Sequence, residues 1–449
     1  MKILLTGAAG FIGMHAALRL LQRGDEVVGI DNITPYYEVS LKRARLAQLA
    51  AYPNFRFIEQ DLADLAGVQA ALGDWKPQRV LHLAAQPGVR YSIDHPHTYA
   101  QANLVAFLNV LELCRHWQVE HLAYASSSSV YGANAQLPFS EDHSVDHPVS
   151  LYAATKKANE LMAHTYSHLY QLPTSGLRFF TVYGPWGRPD MAPFKFVKAI
   201  TEGQGIDIYN YGRQMRDFTY VDDIVESTLR VLDKPATADA SFDRQQPRSS
   251  TSFAPYRVFN IGNHDPVPLM DFIACLEKAC GREAIKNFLP MQQGDVPDTW
   301  ANIEDLTRVV GYTPATPVSV GILVTFFVST AATLEPTGPW GSEVWFDSLT
   351  MFVFFLLGGR YLELKARDRT AGALDALVSR LPETCERELA DGRWEQVAVR
   401  RLRQDDVVRI PAGQAFPGDG VLLDASASVD EALLTGEARP VRRVTGDAV

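Results

Sequence analysis

Residues 1–13 read MKILLTGAAGFIG, a short apolar run that passes directly into a glycine-rich turn. The run is too short for a signal peptide and glycines interrupt it at once, so it predicts a buried strand. Gly7, Gly10 and Gly13 would let the backbone approach a dinucleotide pyrophosphate at the N-terminus of a following helix. We therefore predict a strand, a phosphate-binding turn and a helix here.

Short β-rich runs alternate with amphipathic helical stretches as far as residue 316. The strand candidates are Ile3–Leu5, Glu26–Ile30, Arg56–Ile58, Arg79–Leu83 and His121–Ala125. Helical patterns such as Gly13–Arg23 and Ala100–Trp117 separate them. The alternation predicts an α/β fold, with a Rossmann-type doubly wound parallel sheet over about residues 1–180 and a smaller substrate lobe over about 181–316. Residues 234–255, rich in Pro, Ser and charge, are predicted as a surface loop within that lobe.

The composition is that of a globular protein with two or three domains. The 449 residues are 47% hydrophobic and 21% charged, which excludes a disordered or collagen-like chain. Lys+Arg 42 against Asp+Glu 52 gives a net charge of −10, which argues against nucleic acid as a partner. The cysteines form no C-x-x-C pair, so free thiols in a reducing cytosol are expected at Cys114, Cys275, Cys280 and Cys385.

The second predicted strand runs into an acidic residue, Asp31. A carboxylate at this position can accept hydrogen bonds from the hydroxyls of an adenosine ribose, and it would repel a 2′-phosphate. The sequence therefore predicts NAD rather than NADP as the cofactor.

Tyr152 and Lys156 form a Tyr-x-x-x-Lys motif, and their i,i+4 spacing places both side chains on one helix face. A tyrosine with an ordinary pKa near ~10 is a poor base at neutral pH. A lysine ammonium and a nicotinamide cation nearby would stabilise the phenolate and lower that pKa. SSSSVYG at residues 126–132 follows a predicted strand and supplies hydroxyls, which makes an ordinary surface helix the weaker alternative.

The Gly-x-x-Gly-x-x-Gly spacing of residues 7–13 resembles that of extended short-chain dehydrogenase/reductases. The resemblance continues at Asp61-Leu62, like the adenine-contacting pair of that family, and at residues 83–86, like its loop beneath the cofactor. It implies that Ser127 bridges substrate and tyrosine, with Ser129 also at the site. The implied cofactor contacts are Gly7, Gly10, Phe11, Ile12, Gly13, Asp31, Asn32, Asp61, Leu62, Leu83, Ala84, Ala85, Tyr152 and Lys156.

The serine cluster also limits the reactions that this site could catalyse. Related sugar-nucleotide dehydratases carry an Asp-Glu pair at the positions of Ser128 and Ser129, and related glucuronate decarboxylases carry Glu at the position of Ser129. Neither acid is present in this chain. Without a second acid or base, the simplest remaining chemistry is reversible oxidation at one carbinol, which is epimerisation.

Three further segments resemble UDP-glucuronate 4-epimerases of bacteria and plants: QPGVRYS at 86–92, RFFTVYGPWGRPD at 178–190 and RDFTYVDD at 216–223. The resemblance covers about residues 1–316 and implies a UDP-sugar substrate. We also expect a retained NAD, because epimerisation involves no net redox change, together with a homodimer and a cytoplasmic catalytic domain. Arginines suit an acidic, diphosphate-bearing substrate. A neutral UDP-hexose is the alternative substrate.

The same resemblance assigns individual substrate contacts. Arg216 would contact the diphosphate, and Asp295 would lie on the nucleotide loop. Arg188 is the candidate for the sugar carboxylate, with Thr181 beside it. The remaining implied contacts are Gln86 and Arg90. For any one arginine, a solvated surface charge is the alternative.

The sequence changes character after residue 316. Val318–Leu334 is an uncharged apolar run, and Leu349–Leu357 is another, inside a longer stretch that ends near Leu362. Each stretch is near the lower limit of the ~20 residues that a membrane helix needs. They predict a two-helix transmembrane hairpin at 317–362, with buried soluble helices as the alternative. The basic residues that follow predict a cytoplasmic flank and inner-membrane association through the tail; they are Arg360, Lys365, Arg367 and Arg369.

The tail from about 317 to 449 resembles a fragment of a heavy-metal (copper-type) P-type ATPase. VDEALLTGE at 429–437 and PGDG at 417–420 resemble the β-rich actuator domain of such pumps, in which Glu437 would position a hydrolytic water. The Asp-Lys-Thr-Gly phosphorylation motif and a Cys-Pro-Cys ion site are missing from the sequence. We therefore predict a chimeric chain with an actuator-like segment at 363–449, and the second hypothesis is an inactive transporter fragment fused to a reductase-like domain.

Overall fold

The computed structural model describes residues 1–314, 316, 382, 384–431 and 440–449. These residues belong to two compact units, one within Met1–Phe354 and the other within Phe355–Val449. The strands are β1 Lys2–Thr6, β2 Glu26–Asp31, β3 Phe55–Glu59, β4 Arg79–His82, β5 His121–Ser127, β6 Thr174–Phe179, β7 Thr181–Tyr183, β8 Gly205–Ile208, β9 Met215–Tyr220, β10 Tyr256–Ile261, β11 Pro266–Pro268, β12 Ile285–Phe288, β13 Thr384–Glu388, β14 Trp394–Ala398, β15 Val408–Arg409, β16 Ser426–Val429 and β17 Val441–Val444.

The helices connect these strands. They are α1 Phe11–Gln22, α2 Val39–Ala50, α3 Leu65–Leu72, α4 Tyr91–Asp94, α5 Pro96–Tyr99, α6 Ala106–Trp117, α7 Leu151–Tyr170, α8 Ala192–Glu202, α9 Val221–Asp233, α10 Leu269–Cys280 and α11 Glu304–Val310. A π-helical turn at Ala100–Val105 precedes α6, and 3-10 turns lie at Ser128–Tyr131, Tyr209–Gly212 and Val399–Arg401.

A seven-stranded sheet in the order β10-β6-β5-β4-β1-β2-β3 forms the centre of the first unit. Every neighbouring pair is parallel, and Leu4 of β1 lies between Val28 of β2 and Val80 of β4. Apart from the edge strand β3, these strands are buried on both faces, which explains their nearly continuous apolar sequence. The strand order reverses between β1 and β4, and ligands of such sheets bind outside the carboxyl ends of the strands at this point. The predicted Rossmann-type sheet is confirmed.

The predicted elements agree with the structure except at one helix. All five predicted strands are present, with ends displaced by two residues at most. The predicted helix Ala100–Trp117 is divided into a π turn and α6. Asn103 lies in that turn and bonds to two separate segments, and π turns of this kind mark functional positions in helices. Hydrophobic periodicity carries no signal for such a turn.

Residues beyond 180 contribute to the sheet as well as to a smaller lobe. In the lobe, β9 lies between parallel β7 and antiparallel β11, while β8 pairs with β12. Strand β10, however, pairs with β6 and forms one edge of the seven-stranded sheet. Residues 234–255 form the connection between α9 and β10, without a helix or strand of their own. The predicted loop is therefore present, and it leads into the sheet rather than lying wholly within the lobe.

The described part of the second unit is β-rich, as predicted. Strand β13 lies between antiparallel β14 and β15, and β16 pairs with β17. The predicted hairpin at 317–362 lies outside the described residues, and so does Glu437. Where the structure is described, none of the helices has both the length and the apolar character needed to cross a bilayer.

Candidate active site

One cavity of about 840 Å³ in the first unit gathers the predicted site residues. It lies at the carboxyl ends of β1, β2, β4 and β5 and extends along the smaller lobe. The predicted residues that line it are Gly7, Gly10, Phe11, Ile12, Gly13, Asp31, Asn32, Asp61, Leu62, Leu83, Ala84, Ala85, Gln86, Arg90, Ser127, Ser129, Tyr152, Lys156, Thr181, Arg188, Arg216 and Asp295. Residues as far apart in sequence as Gly7 and Asp295 therefore face one space.

The glycine turn after β1 depends on the absence of side chains. Gly7 has φ +74°, and a Cβ there would lie 2.8 Å from the backbone nitrogen of Ala84. A Cβ on Gly13 would lie 2.0 Å from the carbonyl oxygen of Gly7. Alanine at either position would push apart the turn, α1 and the loop after β4. The glycines thus bring the N-terminus of α1, with its free backbone N–H groups, to the cavity.

Asp31 organises the turn from the end of β2. Its carboxylate accepts hydrogen bonds from the backbone N–H of Ala9 at 3.1 Å and of Ile33 at 2.9 Å. Burial raises the pKa of Asp31, and these hydrogen bonds together with the charges of Lys42 and Arg45 oppose the shift. The carboxylate lines the cavity where an adenosine ribose is expected.

Lys156 is held in the first turns of α7. Ser150 caps this helix by accepting a hydrogen bond from the Ala153 N–H at 3.1 Å, and such caps contribute about 1 kcal/mol. The Lys156 side chain is 2% exposed, and its ammonium donates to the carbonyl of Ala125 at 2.9 Å. Burial lowers the pKa of Lys156 to about 8. Its charge is therefore fixed beside the end of β5.

Tyr152 lies one helical turn before Lys156 and also lines the cavity. Burial raises the pKa of Tyr152, while a hydrogen bond with Ser127 and the charge of Arg188 oppose that increase. The predicted lowering of the phenol pKa also requires the charge of the nicotinamide cation, so it stays a prediction for the protein with bound NAD. Ser127 in turn donates to the hydroxyl of Ser129 at 3.1 Å. The arrangement allows a proton to move between the phenol and a substrate hydroxyl.

Asn103 is a residue that the sequence analysis missed. Its side-chain oxygen accepts from the Gln86 N–H at 2.8 Å, and its amide donates to the Thr155 hydroxyl at 3.1 Å. It thereby joins the loop after β4 to α7, one residue before Lys156. No motif marks it in the sequence, because its role depends on the π turn.

Two of the predicted basic residues contact the loop of the smaller lobe that carries Asp295. The Arg216 guanidinium donates to the carbonyls of Val296 at 2.8 Å and Pro297 at 2.6 Å, so it is tied to the loop that carries Asp295. Arg90 forms an ion pair with Asp295 at 3.2 Å. The structure thus brings the predicted diphosphate residue and the predicted nucleotide loop together.

Arg188 is paired with an acid that the sequence analysis did not select. Its Nε donates to Oδ1 of Asp190 at 3.0 Å, and its Nη2 donates to Oδ2. The hydroxyl of Tyr36 donates to the same Oδ2 at 3.1 Å. The guanidinium holds the pKa of Asp190 below its usual range, while burial raises the pKa of Tyr36 to about 12. Thr181, at the start of β7, lines the same cavity.

Comparison with known proteins agrees with this geometry. The probable UDP-glucuronate 4-epimerase of Rhizobium meliloti (strain 1021) is 51% identical over 326 residues, which are 72% of this chain and 95% of that protein. Protein CapI of Staphylococcus aureus is 55% identical over 322 residues, 72% of this chain and 96% of that protein. The crystal structure of UDP-glucuronic acid 4-epimerase from Bacillus cereus, in complex with UDP-glucuronic acid and NAD, is 35% identical with a TM-score of 0.64 and covers 72% of this chain and 98% of that chain.

Two family models match separate parts of the chain. Residues 379–449 match the P-type ATPase actuator domain, in agreement with the resemblance seen in the tail. Residues 3–262, which carry the sheet, the glycine turn and the Tyr-x-x-x-Lys helix, match a second family. The chain belongs to the NAD dependent epimerase/dehydratase family.

Proposed function

We propose that the chain is an isomerase that converts UDP-glucuronate to UDP-galacturonate by NAD-dependent epimerisation at C4. The observation that carries this proposal is the content of one cavity: a Ser127–Tyr152–Lys156 group for proton transfer, with Arg188 as a fixed cation beside it. Serines rather than acids stand at positions 128 and 129, which argues against dehydration and decarboxylation.

The cavity has the features that NAD requires. The glycine turn leaves no room for a Cβ where a pyrophosphate would meet the N-terminus of α1. Asp31 would accept the adenosine ribose hydroxyls, and Asp61 with Leu62 would lie at the adenine. The chemistry that NAD supplies when bound is reversible hydride transfer at the sugar C4.

The chain's own residues would handle the proton and the orientation. Tyr152 Oη takes the proton of the C4 hydroxyl as the carbonyl forms and returns it after the sugar has turned over. Ser127 holds the same oxygen by a hydrogen bond, and the Lys156 ammonium favours the ionised phenol. Arg216 and the loop of Asp295 keep the UDP moiety anchored while the flat 4-keto sugar rotates.

A product assay with the full chain tests the function. We expect incubation with UDP-glucuronate to give an equilibrium mixture with UDP-galacturonate, without net change in NAD absorbance. Exclusive conversion of UDP-glucose to UDP-galactose would instead establish the neutral-hexose alternative. A UDP-pentose with release of carbon dioxide would establish a decarboxylase, and no product from either sugar would favour the inactive fusion.

Truncation after Thr316 is expected to leave kcat within about twofold of the full chain. Every proposed catalytic residue precedes this point, and the last described residues of the domain are anchored to α9: Thr316 N–H donates to Asp223 at 2.9 Å, and the Tyr312 hydroxyl donates to the same carboxylate. Activity of both forms would be measured in soluble and membrane fractions. The apolar runs of the tail favour membrane-fraction activity for the full chain only.

Two results would contradict this view of the tail. A truncated chain that folds but has no activity would mean that residues 317–449 complete the active site. A full chain that stays monodisperse in solution without detergent would argue against the membrane hairpin and for buried soluble helices.

We also propose a homodimer formed through α6 and α7. Leu108 is 42% exposed, and Leu161 and Leu169, eight residues apart on one face of α7, are each 58% exposed. Exposed leucines on two helices that pack side by side are typical of an interface. Light scattering of the truncated chain is expected to give a dimer, and Leu161→Arg a monomer. Ile285→Arg, at an equally exposed residue on β12, is the control; a monomeric unmodified chain would refute the proposal.

A further inference from the structure

We infer that Asp190 is a positioning residue that selects acidic sugars by holding Arg188. The inference rests on the proposed role of Arg188 at the sugar carboxylate. Its basis is a three-donor arrangement: the Asp190 carboxylate accepts from Nε and Nη2 of Arg188 and from the Tyr36 hydroxyl. All three side chains line the cavity.

The pairing leaves part of the guanidinium available. A guanidinium has five N–H groups in a fixed planar fork. Asp190 takes the edge formed by Nε and Nη2, so the edge formed by Nη1 and the second hydrogen of Nη2 can meet another carboxylate. One arginine can thus bind a resident acid and a substrate acid at the same time. The Asp190 carboxylate fixes the plane of the guanidinium, and the substrate carboxylate binds in that plane.

The backbone around the pair is anchored independently. Arg45, which is fully buried, donates to the carbonyl of Trp186 at 2.7 Å and to that of Gly187 at 3.2 Å. Trp186 has φ +62°, an unfavourable conformation for a large side chain that these contacts maintain. Arg45 also donates to the carbonyl of Ala9 in the glycine turn at 3.2 Å. The loop before Arg188 is therefore held against the cofactor-binding turn, and Asp190 needs to fix only the side chain.

This arrangement predicts a selective loss when Asp190 becomes Asn. The amide cannot accept both arginine N–H groups, so Arg188 loses its fixed plane while the loop stays anchored. We expect the KM and the dissociation constant for UDP-glucuronate to rise about 10-fold, with kcat changed less than about threefold. The dissociation constant of UDP-glucose, which has no carboxylate, is expected to stay within about twofold.

Two further variants test whether Asp190 acts through Arg188. Tyr36→Phe removes one donor to Asp190 and is expected to give a smaller shift in the same direction, even if Asp190→Asn proves unstable. In an Arg188→Ala background, Asp190→Asn is expected to cause no additional loss for UDP-glucuronate. Asp391→Asn is the matched control, because Asp391 pairs with Arg393 two residues away, on the second unit.

The results of these experiments distinguish failure of the Asp190 inference from failure of the proposed function. Tighter binding of UDP-glucuronate by Asp190→Asn would mean that Asp190 only neutralises Arg188, and equal losses for both sugars or additive losses in the double variant would mean a structural role. Each of these results overturns the inference while epimerisation by the unmodified chain still stands. Failure of the unmodified chain to epimerise UDP-glucuronate would overturn the function itself, and titration of the two sugars would still measure selectivity.

Discussion

Replacement of Tyr152 by phenylalanine is expected to lower kcat for UDP-glucuronate epimerisation by a factor on the order of 10²–10⁴. The ring is kept and continues to fill its half-buried place against Tyr99, whereas the oxygen that exchanges a proton with the C4 hydroxyl is lost. The KM should change little, because the UDP moiety is held elsewhere, by Arg216 and its loop. Initial rates of UDP-galacturonate formation by the full chain measure the effect.

Tyr166→Phe is the matched control for this experiment. Tyr166 lies on the same helix, and its hydroxyl donates to Glu112 instead of lining the cavity. The control should retain normal turnover, and both variants should retain bound NAD and an unchanged melting temperature. Near-normal turnover by Tyr152→Phe would remove Tyr152 from the mechanism and leave Ser127 as the proton carrier.

The sequence predicts this part of the site well because its chemistry is local. The glycine spacing is dictated by contacts within one turn, such as that between Gly13 and the Gly7 carbonyl. The i,i+4 spacing of Tyr152 and Lys156 is dictated by helix geometry. Parallel strands then align their carboxyl ends at one edge, so the loops that follow β1, β4 and β5 meet without further information in the sequence.

Other features of the site depend on long-range packing and were missed. Tyr36 and Asp190 are 154 residues apart, and only the folded chain shows that they share a hydrogen bond. The RPD segment at 188–190 does show an acid two residues after the arginine, but an exposed turn could carry the same pattern. The pKa of Tyr152 depends on packing in the same way: neighbouring charges are visible as motifs, whereas the burial that raises this pKa is not.

Replacement of Arg188 by alanine is expected to lower kcat/KM for UDP-glucuronate about 100-fold, and the binding of UDP-glucose by less than about threefold. A charge-assisted carboxylate–guanidinium pair in a partly closed cavity contributes more than a neutral hydrogen bond, and its loss costs about 2–5 kcal/mol. The variant also leaves the Asp190 carboxylate without its cation, which adds repulsion toward an acidic sugar. Initial rates with UDP-glucuronate and competition by UDP-glucose measure the two effects.

The controls for this variant distinguish the effect of the Arg188 charge from the effects of its planar geometry and of the fold. Arg188→Lys keeps the charge but loses the planar fork, so its selectivity should lie between those of the unmodified chain and Arg188→Ala. Arg393→Ala removes the partner of Asp391 from a similar ion pair, and it should change neither kcat/KM for UDP-glucuronate nor the binding of UDP-glucose. Equal losses for both sugars would show that Arg188 supports the fold or the diphosphate site, and any acidic-sugar specificity would then have to come from other residues of the cavity. A loss of activity confined to UDP-glucuronate, by contrast, requires Arg188 to act as a cation toward the sugar carboxylate. Among the described residues, Asp190 is the only acid within hydrogen-bonding distance of Arg188, so it is the residue that holds this cation in place.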